Sequence, residues 1–353
     1  MNVFGPGIEH AVVSAQPGAH GAKAALDPGL QVTFPGAFPS LQGRPTPLRL
    51  WWIAQAMRRF DLVLTYNWGA MDAVLAHRLY GRILSLPPLV HHEDGFNEDE
   101  ASGLKRSRNL FRRLALGRAA ALVVPSRRLE QIALGAWKQP PARVRLISNG
   151  IPIAAYREAP AAGAIPGLAK MPGEKWVGTL AGLRTVKNLP RMVRAFATLA
   201  PDWRLVILGE GPERGAIAAQ AAALGVAERV HMPGFVPEPA RAVGLFDLFA
   251  LSSDSEQFPI SVVEAMAAGL AVVSPAVGDV AGMVAAENRL YVTPPGDEAA
   301  LAFAMAQLAS DEGLRRRIGD ANRLHAEALY DENGMIAAYA SVYGSAMGLA
   351  RFP

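Results

Sequence analysis

The chain has 353 residues, about the length of two ordinary domains. Its composition, 51% hydrophobic and 19% charged, allows sizeable cores and excludes intrinsic disorder. The absence of cysteine excludes disulfides, thiolate metal sites and a cysteine nucleophile. The formal net charge of +4 is too small and too dispersed to indicate a nucleic-acid partner.

No apolar run approaches the roughly 18 residues that a transmembrane helix needs. The first residues also lack a basic segment followed by an apolar one, so we expect no signal peptide. Together with the absence of cysteine, these features favour a reducing, cytoplasmic location.

Short β-prone runs alternate with helical segments, which predicts βαβ units and parallel sheets. In the first half the predicted strands are Ala11–Ser14, Gln31–Phe34, Asp61–Tyr66, Pro88–His91, Ala121–Pro125 and Val144–Ser148. In the second half they are Trp176–Ala181, Arg204–Leu208, Arg229–Met232, Leu248–Leu251, Ala271–Ser274 and Leu290–Val292.

A stretch rich in Pro, Gly and Ala from Ala159 to Gly173 marks a linker between two α/β halves. We therefore predict an N-terminal domain over residues 1–152, a linker over 153–173, a C-terminal domain over 174–330 and a closing helix over 331–353. Ligands of such sheets bind at the carboxyl ends of the strands, so the site is expected in the cleft between the halves.

The first strand of the second half ends in a glycine-containing loop with Gly182, Arg184 and Lys187. Glycines let the backbone approach a ligand, and cations beside a helix start favour anions. The loop is compatible with a diphosphate site, although a basic turn with glycines is a common alternative.

Two carboxylates surround the helix start after the fourth strand of this half. Glu256 lies in the loop, Pro259 opens the helix, and Glu264 follows eight residues after Glu256. Carboxylates at such a place are suited to accept hydrogen bonds from ligand hydroxyls. As bare spacing, a pair of exposed acids is the better explanation of them.

The Glu256–Glu264 spacing resembles the EX7E signature of the family-4 retaining glycosyltransferases. The segments that resemble the family in order and spacing are Asn149–Ile151, Gly178–Asn188, Gly209–Pro212 and His231–Phe235, and the resemblance is nearly continuous from Ala119 onward. It implies an α/β protein of GT-B architecture, with two Rossmann-like parallel-sheet domains facing a cleft. It also implies transfer of a hexose from a nucleotide-diphosphate sugar to an acceptor hydroxyl with retention, without a metal or cofactor.

The resemblance implies a role for each matching residue. Arg184 and Lys187 are expected to neutralise the donor diphosphate, Glu264 to bind the ribose hydroxyls, and Glu256 to contact the transferred sugar. Gly182 stands where family members often carry an arginine. The remaining expected contacts are the backbone at Phe258, Pro259, Ile260 and Ser261 for the phosphates, and Gly234 and Phe235 for the base.

The acceptor side departs from the family. Many members end the corresponding strand in His-Gly, whereas here Asp94 precedes Gly95 and the histidines come earlier. His92, Glu93 and Asp94 are therefore candidates by proximity alone, and His92 and Asp94 are the candidate catalytic residues among them. A metal site among these histidines and acids is a minor alternative.

The family usually opens with a strand, a Gly-Gly loop and a long helix, whereas this chain reaches a predicted strand by Val12. We expect roughly 25–35 residues of the family pattern to be absent, about one strand and one helix. This absence supports one alternative, a truncated inactive nucleotide-binding relative. A nucleotide-sugar 2-epimerase is a second alternative, because it shares the two-domain architecture.

The segment Lys105–Arg118 carries six cations, interleaved with leucines, and no acid. A basic amphipathic helix can lie on an anionic membrane, which suits a lipid-linked acceptor, or it can be a solvated face. Polysaccharide or lipopolysaccharide assembly is the family-level expectation. Trp51 and Trp52 are predicted to serve packing rather than to form a sugar platform.

Overall fold

The computed structural model describes residues 1–16, 18–19, 21–95 and 103–353. They form two compact units. The first unit comprises Met1–Ile147 and Ile336–Pro353, and the second comprises Ser148–Met335.

The first unit is built on parallel strands. Its strands are β1 (Glu9–Ala11), β2 (Gln31–Thr33), β3 (Val63–Tyr66), β4 (Leu89–His92), β5 (Ala121–Val124) and β6 (Val144–Leu146). The first two pair with each other, and the other four form a sheet in the order β3-β4-β5-β6. The helices between them are α1 (Pro47–Met57), α2 (Met71–Tyr80), α3 (Arg106–Ala115) and α4 (Arg127–Gly135).

The second unit contains a doubly wound parallel sheet. Its strands are β7 (Lys175–Leu180), β8 (Trp203–Leu208), β9 (Val230–Gly234), β10 (Leu248–Ala250), β11 (Val272–Pro275) and β12 (Val292–Thr293). They lie in the order β12-β11-β10-β7-β8-β9. The helices are α5 (Leu189–Phe196), α6 (Arg214–Ala223), α7 (Ile260–Ala267), α8 (Val280–Met283), α9 (Glu298–Ser310), α10 (Glu312–Leu329) and the start of α11 (Glu332–Met347).

Strands β7, β8, β10 and β11 are almost wholly buried because helices cover both sides of the sheet, whereas the edge strand β9 is half-buried. One core layer includes Trp176, Phe249 and Met266, and the opposite layer includes Phe196 and Trp203. Each of these five side chains is at most 2% exposed. The alternating pattern of the sequence thus becomes a three-layer α/β unit, which confirms the predicted fold class.

All twelve predicted strands occur, most of them within two or three residues of their predicted bounds. The largest relative shift is in the first, predicted at Ala11–Ser14 and found at Glu9–Ala11. Its register is fixed by pairing, since His10 lies opposite Val32.

The segment 153–173, predicted as a linker, belongs to the second unit and packs into its core. Ile153, Tyr156 and Ile165 are buried in its core, and Lys170 Nζ donates to the Leu245 carbonyl oxygen at 2.7 Å. Composition indicated a linker because Pro, Gly and Ala dominate this stretch, but its larger apolar side chains other than the exposed Met171 pack into the core. The predicted closing helix is found as α11, which begins in the second unit and continues into the first.

Candidate functional site

The sheet of the second unit has a topological switch point between β7 and β10. The chain moves from β7 outward through β8 and β9, then returns to place β10 on the other side of β7. At such a point the two neighbouring loops diverge and leave a crevice at the carboxyl ends of the strands. The loops concerned are residues 181–188 and 251–259, which carry the cations and the first carboxylate predicted above.

Hydrogen bonds hold these two loops together. The Ser252 hydroxyl donates to the carbonyl oxygen of Lys187 at 2.9 Å, and the Asp254 N–H donates to that of Val186 at 2.9 Å. Arg191, in α5, forms an ion pair with Asp254 at 2.7 Å. The backbone at the switch point is therefore fixed from both sides before any ligand arrives.

Lys187 and Glu256 meet across the switch point. Lys187 Nζ lies 2.5 Å from Glu256 Oε1, and the Ser253 hydroxyl donates to the same oxygen at 2.7 Å. Both charged side chains are largely shielded, with exposures of 16% and 11%. The predicted phosphate-binding cation and the predicted sugar-binding carboxylate thus form one buried polar cluster.

Arg184 and Gly182 lie at the outer end of the same loop. Arg184 N–H donates to the Gly182 carbonyl oxygen at 2.8 Å, which makes a tight turn. Both residues are exposed. The guanidinium can therefore reach an anion without first being uncovered.

Glu264 extends from α7 toward a partner that the sequence did not indicate. The hydroxyl of Tyr156 donates to Glu264 Oε1 at 3.0 Å. Burial raises the pKa of the Glu264 carboxyl above its usual value, and the bond from Tyr156 partly opposes that rise. Burial, reinforced by the charge and the hydrogen bond of Glu264, raises the pKa of Tyr156, so its hydroxyl keeps its proton and stays a donor.

The start of α7 presents polar backbone beside Glu256. Pro259 precedes the first helical residue, Ile260, which is 44% exposed, and Ser261 is half-buried. Phe258 is buried and packs edge-on against Tyr330, with ring centroids 5.6 Å apart. Phe258 therefore anchors the loop, whereas the N–H groups of the first turn supply the partial positive charge of a helix start.

The loops after β8 and β9 depend on glycine. Gly209 has φ +147°, and its N–H donates to the Gly234 carbonyl oxygen at 2.8 Å. A Cβ at Gly209 would collide with the carbonyl oxygen of Ala181. Gly234 is buried with φ +108°, whereas the next residue, Phe235, is 71% exposed and available for stacking.

The first unit places His92 in an aromatic cluster. His92 Nδ1 lies 3.2 Å from the Thr65 carbonyl oxygen, and His92 Nε2 lies 3.0 Å from the Tyr343 hydroxyl. The Tyr66 ring stacks on the imidazole at 4.4 Å. Burial lowers the pKa of His92 to about 4, so it is neutral near pH 7. In this arrangement both ring nitrogens are engaged, and the residue is 1% exposed, which leaves no atom for a substrate.

Asp94 and Glu93 point to different environments. Asp94 is exposed at the end of β4, and its N–H donates to Asn67 Oδ1 at 2.7 Å. Glu93 is buried and accepts from Arg112 Nε at 3.1 Å. Among the described residues, no group of three or more histidine or acidic side chains is arranged to hold a metal ion.

The basic segment forms α3 and a following turn. Arg106, Leu110, Arg113 and Leu114 lie on its exposed face, and the two leucines are 56% and 60% exposed. Arg112 instead points inward, as its pair with Glu93 shows. Within the described chain, no helix is long and apolar enough to span a bilayer.

Sequence reasoning placed Lys187, Glu256 and Glu264 in one unit but missed the groups that orient them. Tyr156 is 108 residues away from Glu264 and lies in a stretch with linker composition. The polar run Ser252–Asp254 was visible, but its bonds to the loop after β7 follow only from the sheet order.

Two family models match the two units in turn. The model described as "Glycosyl transferase 4-like domain" matches residues 6–150, and that described as "Glycosyl transferases group 1" matches residues 165–325. These matches agree with the parallel α/β sheets of the two units. The chain belongs to the family-4-like glycosyltransferases of the GT-B fold.

Known relatives agree with this assignment. The N-acetyl-alpha-D-glucosaminyl L-malate synthase of Bacillus anthracis is 28% identical over 172 residues, covering 48% of this chain and 45% of the relative. A lipopolysaccharide core biosynthesis mannosyltransferase of Rhizobium leguminosarum bv. viciae is 28% identical over 213 residues, covering 58% and 60%. The chain thus matches about half of the length of these two relatives.

Solved structures share the fold over nearly the whole chain. The structure of HepE from Anabaena in complex with UDP has a TM-score of 0.77 at 20% identity, and the match covers 96% of this chain and 100% of that one. At this identity the similarity establishes the architecture.

Proposed function

We propose that this chain transfers a hexose from a nucleotide-diphosphate sugar to an acceptor hydroxyl, with retention of the anomeric configuration. The observation that carries the proposal is the Lys187–Glu256 pair at the switch point, with Glu264 one helix turn or more further along α7. Support also comes from the matched glycosyltransferase models, which favour transfer over 2-epimerisation.

In this proposal the donor spans the crevice of the second unit. Glu264, oriented by Tyr156, accepts hydrogen bonds from the ribose hydroxyls, and Phe235 and Gly234 border the base. Lys187 and Arg184 face the diphosphate together with the first turn of α7, and Glu256 accepts from hydroxyls of the transferred sugar. The UDP complex of HepE supports a nucleotide ligand for this fold.

The chemistry is stabilisation of a leaving group. The bond between the anomeric carbon and the diphosphate oxygen breaks, and the acceptor oxygen forms the new bond on the same face. The acceptor proton passes to the departing phosphate, so no protein base is needed. Lys187 and Arg184 neutralise the charge that develops on the diphosphate, which is the largest contribution a preorganised site can make.

Asp94, rather than His92, is our candidate on the acceptor side. It is exposed at the end of β4, whereas the structure buries His92 beneath Tyr343. The acceptor we propose is a glycan or lipid-linked saccharide, as in polysaccharide or lipopolysaccharide assembly. The mannosyltransferase relative supports this class.

We further propose that the exposed face of α3 contacts an anionic membrane at the inner face of the plasma membrane. Arg106 and Arg113 flank Leu110, and Leu114 follows one turn later, so cations and apolar groups share one face. This arrangement suits a helix that lies in the headgroup region. A lipid-linked acceptor would then be presented at the same surface.

Donor hydrolysis in the absence of an acceptor tests the transfer chemistry. The full chain is incubated with α-linked UDP- and GDP-hexoses, and proton NMR follows which anomer of the free sugar forms first. We expect the α-anomer from one nucleotide series. Lys187→Ala should lower the rate by about 10²-fold, the usual cost of losing one donor to a developing oxyanion.

Lys175→Ala is the matched control, because Lys175 forms a surface pair with Asp202 at 2.9 Å outside the site. It should leave the rate within a factor of about two, as expected for loss of an exposed pair. Release of the β-anomer contradicts retention, and an unchanged rate in Lys187→Ala contradicts the diphosphate assignment.

A further inference from the structure

Helix α1 buries one face and leaves an aromatic side chain on the other. The buried face is formed by Leu50, Ile53, Ala54 and Met57. On the outer face, Trp52 and Gln55 lie one turn apart, and Arg59 follows in the turn after the helix. Trp52 is 55% exposed, in contrast to the packing role predicted from the sequence. Its neighbour Trp51 does serve packing, edge-on to Tyr80 with ring centroids 5.2 Å apart.

Trp52 lines a cavity of about 440 Å³. Its other walls include Phe38, Pro35 and Pro39, from the segment that precedes α1, and Gln55 and Arg59 supply the polar groups. This volume falls in the range of small-ligand sites, which combine apolar walls with a few polar groups. The cavity lies wholly within the first unit, and none of its lining residues belongs to the nucleotide site proposed above.

The two polar side chains are held by local contacts. Gln55 Oε1 accepts from Arg58 Nη1 at 3.3 Å, which directs the amide nitrogen away from Arg58. The Arg59 guanidinium stands over the Phe60 ring, 5.0 Å from its centroid. An amide and a planar cation thus line the same cavity as the indole of Trp52.

This combination matches the surface of a pyranose. A sugar ring presents C–H groups on one face, which pack on an indole, and hydroxyls at its edge, which bond amide and guanidinium groups. A guanidinium also pairs with a carboxylate through two parallel bonds. Because the lining contains Arg59 and no acidic side chain, its charge complements a sugar acid.

We propose that this cavity is a saccharide-binding site that takes a uronic-acid unit of a glycan. It would hold a sugar that does not itself react. The choice of a saccharide as ligand rests on the proposed glycosyltransferase function. The cavity and its positive charge are observed independently of that function.

Calorimetric titration of the full chain tests the site directly. The probes are hyaluronan tetrasaccharide, which alternates glucuronate and N-acetylglucosamine, neutral chitotetraose, and a proline-rich decapeptide. We expect saturable binding of the hyaluronan fragment and weaker binding of chitotetraose. Trp52→Ala should weaken binding about tenfold, as expected when a buried aromatic contact is lost. Arg59→Gln should abolish the preference for the acidic probe.

Leu48→Ala is the control, since Leu48 lies on the same helix, is 65% exposed and lies outside the cavity lining. It should bind the hyaluronan fragment like the wild type, and a melting curve checks each variant for folding. The proposal is overturned if the hyaluronan fragment fails to bind, binds equally to Trp52→Ala or binds less tightly than chitotetraose, or if only the peptide binds. UDP and GDP titrations on the same samples separate this outcome from failure of the donor site.

Discussion

Two side chains show how the surroundings of a candidate site residue set its protonation state. Glu264 is buried enough that its pKa rises, yet the Tyr156 hydroxyl favours its ionised form. His92 is buried among aromatic rings, and its pKa falls to about 4. The first residue is therefore poised as an acceptor of hydrogen bonds, and the second is held as a neutral structural group.

Tyr156→Phe tests the positioning of Glu264. Loss of the hydroxyl removes an interaction that lowers the pKa of Glu264, so its carboxyl should protonate at a higher pH. We expect nucleotide affinity, measured by calorimetry, to fall about tenfold, the effect of roughly one hydrogen bond to a charged group. The difference in nucleotide affinity between the variant and the wild type should grow as the pH is lowered from 8 toward 4.5, the usual pKa of a glutamate.

Tyr80→Phe removes a comparable bond, from the Tyr80 hydroxyl to the Pro47 carbonyl oxygen, outside the nucleotide site. It should leave the affinity and its pH profile unchanged. A Tyr156→Phe profile parallel to that of the wild type would show that the tyrosine does not orient Glu264.

His92 should make stability depend on pH. Between pH 6.5 and about 4 the unfolded chain binds a proton at this histidine that the folded chain does not. Acidification through this window therefore favours unfolding, by up to about 3 kcal/mol when the pH falls below 4. In urea titrations across this range, His92→Gln should show a shallower decline in the free energy of unfolding than the wild type.

Tyr343→Phe separates burial from hydrogen bonding as the cause. Burial is the main reason for the low pKa of His92, and Tyr343 only contacts Nε2. The decline in stability should therefore persist in Tyr343→Phe. Its disappearance there would assign the shift to the hydroxyl.

At the scale of the element, the loops of the second unit depend on close backbone approach. Gly209 lies in the left-handed region, and any Cβ there meets the Ala181 carbonyl oxygen. The loop after β8 can therefore reach the loop after β7 only through glycine. The strand ends converge for this steric reason, in addition to their hydrogen bonds.

Gly209→Ala should destabilise the chain by roughly 3 kcal/mol, because strained backbone and a collision with a main-chain atom combine. Gly215→Ala is the matched control, since Gly215 lies in α6 with open space around its missing Cβ. Gly215→Ala should stabilise the folded chain by up to about 1 kcal/mol. Chemical denaturation measures both, and equal effects of the two substitutions would refute the steric account.

The arginines of helix α3 lie in two different environments, the interior and the exposed face. Arg112 pairs with Glu93 in the interior, whereas Arg106 and Arg113 remain on the exposed face. The sequence shows six cations, but only the structure distinguishes those available to a membrane. Replacing Arg112 in a membrane-binding test would also destabilise the fold, because Arg112 forms a buried pair with Glu93.

Replacing both Arg106 and Arg113 with Gln should weaken binding to phosphatidylglycerol-containing vesicles by roughly 10- to 30-fold. Each basic residue near an anionic surface contributes about 1 kcal/mol. The control replaces Arg44 and Arg58, two exposed arginines of the same unit, and should bind as the wild type does. Co-sedimentation measures both, and undiminished binding by the Arg106/Arg113 variant would exclude α3 as the membrane face.

For the whole molecule, the sequence was sufficient to predict the architecture, and it also showed the chemical groups of the proposed donor site. Alternating β and helical segments predicted all twelve strands, because parallel strands are buried on both faces and read as apolar runs. The Glu256–Glu264 motif and Lys187 were likewise visible. Their placement at the switch point was not, since sheet order depends on pairings between distant strands.

Other features needed the tertiary structure. Tyr156 reaches Glu264 from a segment with linker composition, and Tyr343 covers His92 from 251 residues away. The local sequence around His92 suggested a catalytic residue because it lies at a strand end. The structure instead buries His92, and part of that cover comes from the C-terminal helix. This burial cannot be predicted from the local pattern.

The most direct test of the donor site is calorimetric titration of the chain with UDP and GDP. We predict that one of them binds, and that Glu264→Ala weakens this binding about 10²-fold, since two ribose hydroxyls lose a charged acceptor. Glu287→Ala, which removes an exposed carboxylate elsewhere in the same unit, should have no effect. Failure of the folded chain to bind either nucleotide, or equal binding by Glu264→Ala, would contradict the proposed site.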